Sequence, residues 1–272
     1  MAIVIRITPF VNHSMNTSLL DRTAGSRVLA RGQAENHYAA RLAVSAEDVR
    51  AAQTLRFLVF NLELNEGLED SFSTLRDADP FDDVCDHLLV EDRRTGDIVG
   101  TYRLQTGQVA ANKLGYYSAQ EFDLSPFDSL RGQMIELGRA CVHSQHRNLT
   151  VLGLLWKGIA GYARSRGGRY LIGCSSLSSQ DPAVGAAVYS DLSHRFLIEE
   201  PYRIQPRPEL ACPLTHLAEN YQRPPKLLSA YLSLGAKICG APALDQEFKT
   251  IDFLTLLDLD ALSPSTVARY LS

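Results

Sequence analysis

Apolar and polar positions along this chain fall into segments with two clear periods. "HYAARLAV", residues 37–44, alternates as a half-buried strand does. "SAED" then offers a helix start, with Ser45 as the cap and Asp48 three residues on, and the helix should run through "VRAAQTLRFLVFNLEL". After an Asp-rich loop, "DADPFDD", the runs "HLLVED" and "IVGTYRLQ" flank the turn "RRTGD" and read as a hairpin. "QMIELGRACV" is a further strand. "LTVLGLLWKGIAGYARSR" has the helical period, with Leu152, Leu155, Ile159 and Tyr162 on one face and Lys157 and Arg164 opposite. "GG" ends that helix and "RYLIGCSSL" follows as a strand. Asp181 as cap with Pro182 at the first helical position opens a helix over "PAVGAAVYSDL". A Pro-rich connection, "EEPYRIQPRPELACP", leads to a short helix in "PPKLLSAYLSLGA" and to strand-like "FKTIDFLTLLDL". Elements in this order predict a mixed α/β sheet with helices on its faces.

Residues 1–36 show no sustained period and carry four arginines against one Asp and one Glu, so a flexible arm is expected there rather than a domain. The chain has 272 residues, 45% of them hydrophobic and 21% charged, with a formal net charge of −4. These values fit a soluble globular protein of one large or two small domains. No apolar run approaches the roughly 20 residues that span a bilayer, and "MAIVIRITPF" places its Arg inside the apolar part, unlike a signal peptide. Five cysteines, widely spaced and mostly among apolar neighbours, predict reduced thiols in a cytoplasmic protein, with no disulfide framework and no metal site.

The residues with chemical potential cluster in "MIELGRACVHSQHRN". Glu136 is a carboxylate inside an apolar strand. In a regular strand Glu136 and Arg139 would face oppositely, but Gly138 between them can mark a bulge that re-aims one of them. Such a Glu either takes a proton from an amine, directly or through water, or closes a structural pair with Arg139. Tyr189, on the helix after the next strand, is either a proton donor or a packing residue. Cys141, between Ala140 and Val142, reads as a core thiol.

Charge is unevenly distributed. From Leu137 to Gln180 there is no Asp or Glu, while Arg139, Arg147, Lys157, Arg164, Arg166, Arg169, His143 and His146 all fall there. A net-acidic chain with such a window points to an anionic partner. Nucleic acid fits poorly, because aromatic residues are not interleaved with the cations. The strand–turn–helix junction around "SQHRNLT" suits an anion at a helix N-terminus. It lacks the glycines a diphosphate requires, so a single phosphate, as on the phosphopantetheine of an acyl carrier protein, fits better than coenzyme A.

"RFLVF", "DDVCDHLLV", "GDIVGTYRL", "ELGRACV" and "LLWKGIAGYARSRG" together resemble the GNAT superfamily. Within it they are similar to the acyl-carrier-protein-dependent branch that holds acyl-homoserine lactone synthases and ornithine lipid synthases. "RPPKLLSAYLSLGAKICGAPALDQEFKTIDFLTLLDLDAL" looks like the C-terminal block of the L-ornithine N-acyltransferases. The resemblance spans about residues 38–262. It implies a GNAT-like α/β fold with a mixed, mostly antiparallel central sheet and helices on both faces. The acyltransferase domain would be 37–272, with a family-specific extension from about 201.

The resemblance also implies a reaction and a set of roles. A 3-hydroxyacyl group would pass from acyl carrier protein to the α-amine of L-ornithine, giving a lyso-lipid. No cofactor would be bound permanently, the acyl-phosphopantetheine being a co-substrate. Glu136 matches the base or water holder. Arg56, Arg103, Arg139 and Phe60 match positions of the substrate cleft, and Asp82, Asp83 and Asp86 an acidic loop. The absence of a tryptophan soon after the first helix counts against S-adenosylmethionine as acceptor.

On chemical grounds one of the arginines should hold the amino acid's carboxylate, and the Asp loop or Asp245 the second ammonium. Val142, His143, Arg147, Lys157, Arg164 and Arg166 are the expected contacts for the carrier and its phosphopantetheine. The expected partners are thus acyl carrier protein and an amino acid, with the arm as a candidate for peripheral membrane contact. The alternatives are acylation of glycine or lysine, lactone synthesis, or a non-catalytic acyl-carrier or lipid-binding module.

Overall fold

The computed structural model describes residues 37–219 and 223–270, so the expected arm, 1–36, lies outside the described residues. The main elements are β1 (Tyr38–Leu42), α1 (Ala46–Phe57), β2 (Asp86–Asp92), β3 (Asp97–Thr106), β4 (Met134–Val142), α2 (Leu149–Ser165) and β5 (Tyr170–Leu177). They continue with α3 (Pro182–Phe196), α4 (Lys226–Ser233), β6 (Lys237–Ile238), β7 (Ala243–Asp245) and β8 (Thr250–Asp258). The caps explain several boundaries. Ser45 Oγ accepts the Asp48 N–H at 3.2 Å, while the Asp48 carboxylate turns back to the Val44 N–H at 2.9 Å. Asp181 accepts the Ala183 N–H at 2.9 Å, with Pro182 in the first turn. The first helix does not continue as a regular α-helix. It widens into a π-turn over Leu58–Glu63, with Leu64 N–H bonded to Val59 C=O.

The strands form one eight-stranded sheet in the order β1–β2–β3–β4–β5–β8–β6, with β7 also paired to β8. Every pairing is antiparallel except β4 with β5. That parallel ladder is short: it joins Met134, Ile135 and Glu136 to Tyr170, Leu171 and Ile172 and then stops. Beyond Glu136 the two strands part.

Alternation assigns the two faces. Ile135, Leu137, Ala140 and Val142 of β4 pack with Val151, Leu155, Trp156 and Ile159 of α2. Leu177, Ile251 and Phe253 on this same face pack against α3 and α4. On the opposite face, Cys141 meets Leu55, Val59 and Phe60 from α1 and the π-turn. Ile172, Leu254 and Leu256 meet Tyr116, Phe122 and Phe127 from the long connection between β3 and β4. The hydrophobic pattern did not anticipate this connection. Its short elements are stapled by a two-residue ladder, Phe122–Asp123 with Gln205–Pro206, whose strands are too short to show a period.

Candidate active site

The bulge suggested by Gly138 is realised one residue later. Thr101 pairs with Cys141 and Arg103 with Gly138, so Tyr102 of β3 faces both Arg139 and Ala140. Arg139 takes φ of 47°, a left-handed conformation a non-glycine residue adopts only when its surroundings hold it there. The extra residue resets the alternation. Glu136 and Arg139, three apart, now point to the same face of the sheet.

Glu136 is buried and gripped by the connection between β3 and β4. Tyr117 N–H donates to its Oε2 at 2.8 Å. Ser118 N–H and Oγ–H both donate to Oε1, at 2.8 and 2.6 Å. A carboxylate offers about four acceptor positions, so one on Oε2 stays open. Burial pushes this carboxyl above the ordinary range, with the Ser118 and Tyr117 bonds pulling the other way. The structural pairing with Arg139 does not form: Arg139 turns to Asp79 at 2.7 Å and to Asp77 at 3.3 Å.

A small cavity lies over this group and is lined by Cys85, Arg103, Gln105, Tyr117, Glu136, Leu137, Gly138, Arg139 and Cys174. Arg103 and Arg139 lay their guanidinium groups against the Tyr117 ring at 5.4 and 5.2 Å, and Arg139 also covers Phe248 at 4.5 Å. A second, apolar cavity sits across the sheet, walled by Trp156, Leu171, Tyr231, Ala236 and Leu257. Leu137 and Cys174 line both, so the two cavities share a wall where the β4–β5 ladder ends.

Sequence reasoning assigned the arginines and the Asp-rich loop to opposite ends of a substrate, whereas the structure pairs them with one another. Arg56 hydrogen-bonds Asp82 at 2.9 and 2.5 Å and forms an ion pair with Asp77 at 2.8 Å. Arg103 bonds Asp79 at 2.6 Å and Asp82 at 3.0 Å. Three guanidinium groups and three carboxylates thus close a buried network. Although burial opposes it, Arg139 and Arg103 hold the Asp79 carboxyl below its ordinary range, and Arg56 and Arg103 do the same for Asp82. Only Arg103 and Arg139 of the three arginines line the cavity.

The other expected positions divide. Arg56 is 1% exposed within the ionic network, and Phe60 is enclosed with Leu55, Val59 and Cys141, so neither reaches the cavity. Asp83 is exposed. Asp86 accepts the Tyr162 hydroxyl at 2.8 Å and pairs with Arg166 at 3.5 Å, toward α2. Tyr189 packs with Leu177, Ile251 and Phe253 on the face that Glu136 does not share, so the structure does not bring it to Glu136. Asp245 lies on the Glu136 face, accepting Glu247 and Phe248 N–H groups at 2.9 and 3.0 Å.

The cationic window is also partly spent internally. Arg147 is drawn in by Glu63 and donates to Val142 C=O at 3.0 Å; Val142 itself is a core residue. Asn148 Oδ1 takes the Thr150 and Val151 N–H groups at 3.0 Å each, so the N-terminus of α2 is capped by its own chain. Lys157, Arg164 and Arg166 remain exposed on α2 and the turn that follows it. His143 lines an open groove with His146, which meets the Tyr38 hydroxyl at 3.0 Å. Cys141 is a buried thiol pushed far up by burial, as its apolar neighbours suggest.

Several residues of the site gave little sign in the sequence. Tyr117 and Ser118 act through backbone geometry, and Gln105 and Cys174 look like ordinary strand residues. Asp77 and Asp79 were visible as part of the Asp-rich loop, although their partners were not.

Residues 55–157 match the model of a GNAT acetyltransferase domain. The L-ornithine N(alpha)-acyltransferase of Rhizobium meliloti (strain 1021) is 35% identical over 247 residues, 85% of this chain and 82% of that protein. The L-ornithine N(alpha)-acyltransferase of Brucella abortus (strain 2308) is 33% identical over 246 residues, covering 85% and 87%. Among solved structures, a CoA-dependent acyl-homoserine lactone synthase, BjaI, with SAM and isopentyl-CoA, aligns with a TM-score of 0.49 at 16% identity, over 85% of this chain and 86% of that one.

Proposed function

Because this chain belongs to the family of L-ornithine N(alpha)-acyltransferases, we infer that it is an N-acyltransferase acting on the α-amine of ornithine, and we propose that acyl carrier protein supplies the acyl group. The observation that carries the catalytic reading is the open acceptor position on Glu136 Oε2, facing a cavity where β4 and β5 part. Thioester aminolysis requires a neutral amine. Glu136 takes the proton from the α-ammonium, directly or through one water, and the freed nitrogen attacks the thioester carbonyl. The C–S bond then breaks, and the departing thiolate is protonated as the amide forms. A carboxyl lifted above its ordinary range by burial suits this exchange near neutral pH. The unladdered edges of β4 and β5 offer backbone N–H groups for the tetrahedral oxyanion.

Arg103 and Arg139 are the candidates for the α-carboxylate, since both line the cavity and the planar guanidinium fork matches a carboxylate. The apolar cavity behind Leu137 and Cys174 suits the acyl chain, with Trp156, Leu171 and Leu257 as its walls. The carrier would dock on the side of Lys157, Arg164 and Arg166, its acidic surface meeting their charge. No helix among the described residues is long and apolar enough to cross a membrane. A lyso-lipid product would leave toward a membrane surface, so peripheral contact through the arm belongs to the same proposal.

The test is acyl transfer measured by mass spectrometry with acyl carrier and coenzyme A donors. Glu136→Gln keeps the size of the side chain and should cost roughly a hundredfold or more in turnover. Near-normal turnover by a folded variant would remove Glu136 as the base. Equal use of acyl-coenzyme A would remove the carrier as donor while leaving ornithine acylation in place.

A further inference from the structure

The cavity on the α2 side of the sheet is not uniformly apolar. Three hydroxyl side chains line it, those of Ser175, Thr255 and Tyr231. Thr255 Oγ1 donates to the Gly173 carbonyl at 3.0 Å, and the Tyr231 and Tyr102 hydroxyls bond one another at 2.6 Å. Ser175 is different. It is 3% exposed, and its Oγ has no hydrogen-bond partner among the described residues. Alternation from Leu171, which packs against α2, puts Gly173 and Ser175 on the same face, turned into the cavity. A buried hydroxyl left unpaired costs stability, and Ala would fill the position without that cost. An unpaired serine suits a cavity whose occupant brings its own polar atom.

The place of Ser175 along the cavity decides which part of an occupant it meets. Leu137 and Cys174 line this cavity and the Glu136 cavity alike, so the reacting carbonyl belongs at their level. Ser175 follows Cys174 directly and lies three residues beyond Ile172, the last β5 residue paired with β4. A chain attached to that carbonyl and entering the apolar cavity passes Ser175 with its first carbons. An extended chain advances about 1.3 Å per bond, so carbon 3 lies about 2.5 Å beyond the carbonyl carbon. An oxygen on carbon 3 is then in reach of Ser175 Oγ. Further along, Leu171, Ala236 and Leu257 wall the cavity and have nothing for an oxygen to bond.

We propose that Ser175 reads a hydroxyl on carbon 3 of the acyl chain and so sets the donor specificity of the enzyme. This rests on the reading that the acyl chain fills the apolar cavity. A hydroxyl fits Ser175 better than a ketone does. Ser175 Oγ offers one donor and two acceptor positions; a substrate hydroxyl can use both kinds, whereas a carbonyl can only accept. A chain with a plain methylene at carbon 3 leaves the serine as it stands in the free protein and gains nothing from it. Binding the hydroxylated chain pairs a buried group that was unpaired, so the discrimination comes from relief of a cost already present. Ser175 takes no part in moving the amine proton, which Glu136 handles on the other face of the sheet.

The experiment compares 3-hydroxyacyl, 3-oxoacyl and unsubstituted acyl thioesters of one chain length, on acyl carrier protein or coenzyme A, whichever the wild type uses. It measures kcat/KM for each donor in wild type, Ser175→Ala and Ser175→Thr, with ornithine saturating. Pairing one buried hydroxyl should give the wild type a preference of about 5- to 150-fold for the 3-hydroxyacyl over the unsubstituted donor. Ser175→Ala should abolish or invert that preference, because the substrate's own hydroxyl is then buried unpaired. Ser175→Thr keeps a hydroxyl and should keep the preference. The melting temperature of Ser175→Ala should hold or rise, since an unpaired hydroxyl is lost, which separates this role from a structural one. A folded Ser175→Ala that retains the wild-type ratio overturns the proposal, as does a wild type that favours the 3-oxoacyl donor or does not discriminate. Ala236→Leu fills the same cavity and tests the underlying reading: it should lower kcat/KM for all three donors. Full activity in a folded Ala236→Leu variant overturns the placement of the chain, and the role of Ser175 with it.

Discussion

Arg56 offers a sharp test of whether the buried arginines hold substrate or hold the fold. It bonds Asp77 and Asp82 and donates to the Asp77 carbonyl, while the cavity is lined by Arg103 and Arg139 alone of the three. Arg56→Met keeps much of the side-chain volume but leaves two buried guanidinium groups facing three buried carboxylates. Breaking a buried pair by removing one partner costs about 3–5 kcal/mol. At about 2–4 °C per kcal/mol for a chain of this size, the melting temperature should fall by about 6–20 °C. Adding Asp77→Asn restores the balance to two and two, so the double variant should melt above Arg56→Met alone; a coupling of about 0.5–3 kcal/mol is the usual range for contacting residues. Thermal melts give the first quantity, and initial rates on folded protein at low temperature give KM for ornithine, which should stay near wild type. A melting temperature within about 2 °C of wild type would refute the ionic-network reasoning. An unchanged melting temperature with KM raised tenfold would instead make Arg56 a substrate ligand.

Two further outcomes follow from charge. Glu66, Glu121, Asp245 and Glu136 have carboxyls raised in the fold, so the native state holds protons more tightly than the unfolded chain. Their contribution to stability is present at acid pH and is lost as pH rises through the raised values, whereas Asp79 and Asp82, depressed by arginines, lose theirs only as pH falls. The melting temperature should therefore decline as pH climbs above the ordinary carboxylate range; a curve rising through this range would contradict these shifts. Reversing exposed Lys157 and Arg164 to Glu should raise KM for the acyl carrier, with less salt dependence left to lose, and leave KM for ornithine unchanged; equal effects on both constants would place the carrier elsewhere.

What could be read from the sequence was what depends on local period and on single residues. The capping Ser45 and Asp181, the amphipathic face of α2 and the strand-like run of β8 are each visible within about ten residues, and each element starts close to where it was expected, although α1 gives way to the π-turn at Leu58. Glu136 stood out because a carboxylate in an apolar strand needs a reason. Pairing across the fold was not visible. Nothing local says that the Asp-rich loop folds onto Arg56 and Arg103 instead of facing a ligand, because loop and helix meet only through tertiary packing. Ser175 was missed for the same reason. It looked like an ordinary strand serine, and only the packing of α2, α4 and β8 around it makes it a cavity wall.

The bulge at Arg139 joins these observations. With regular alternation, placing Glu136 toward the cavity would send Arg139 to the α2 face, among Leu155, Trp156 and Ile159, where no carboxylate from the Asp-rich loop could reach it. The extra residue keeps Ala140 and Val142 in that apolar cluster while turning Arg139 back beside Glu136. It therefore permits an apolar core on one face and an ionic site on the other within a single strand. The left-handed backbone at Arg139 is the local strain that this geometry requires, and Asp77 and Asp79, clamped onto its guanidinium, are placed to hold it. The ionic network and the placement of Glu136 thus depend on the same backbone irregularity. Damage to the network should therefore reach Glu136 through the strand.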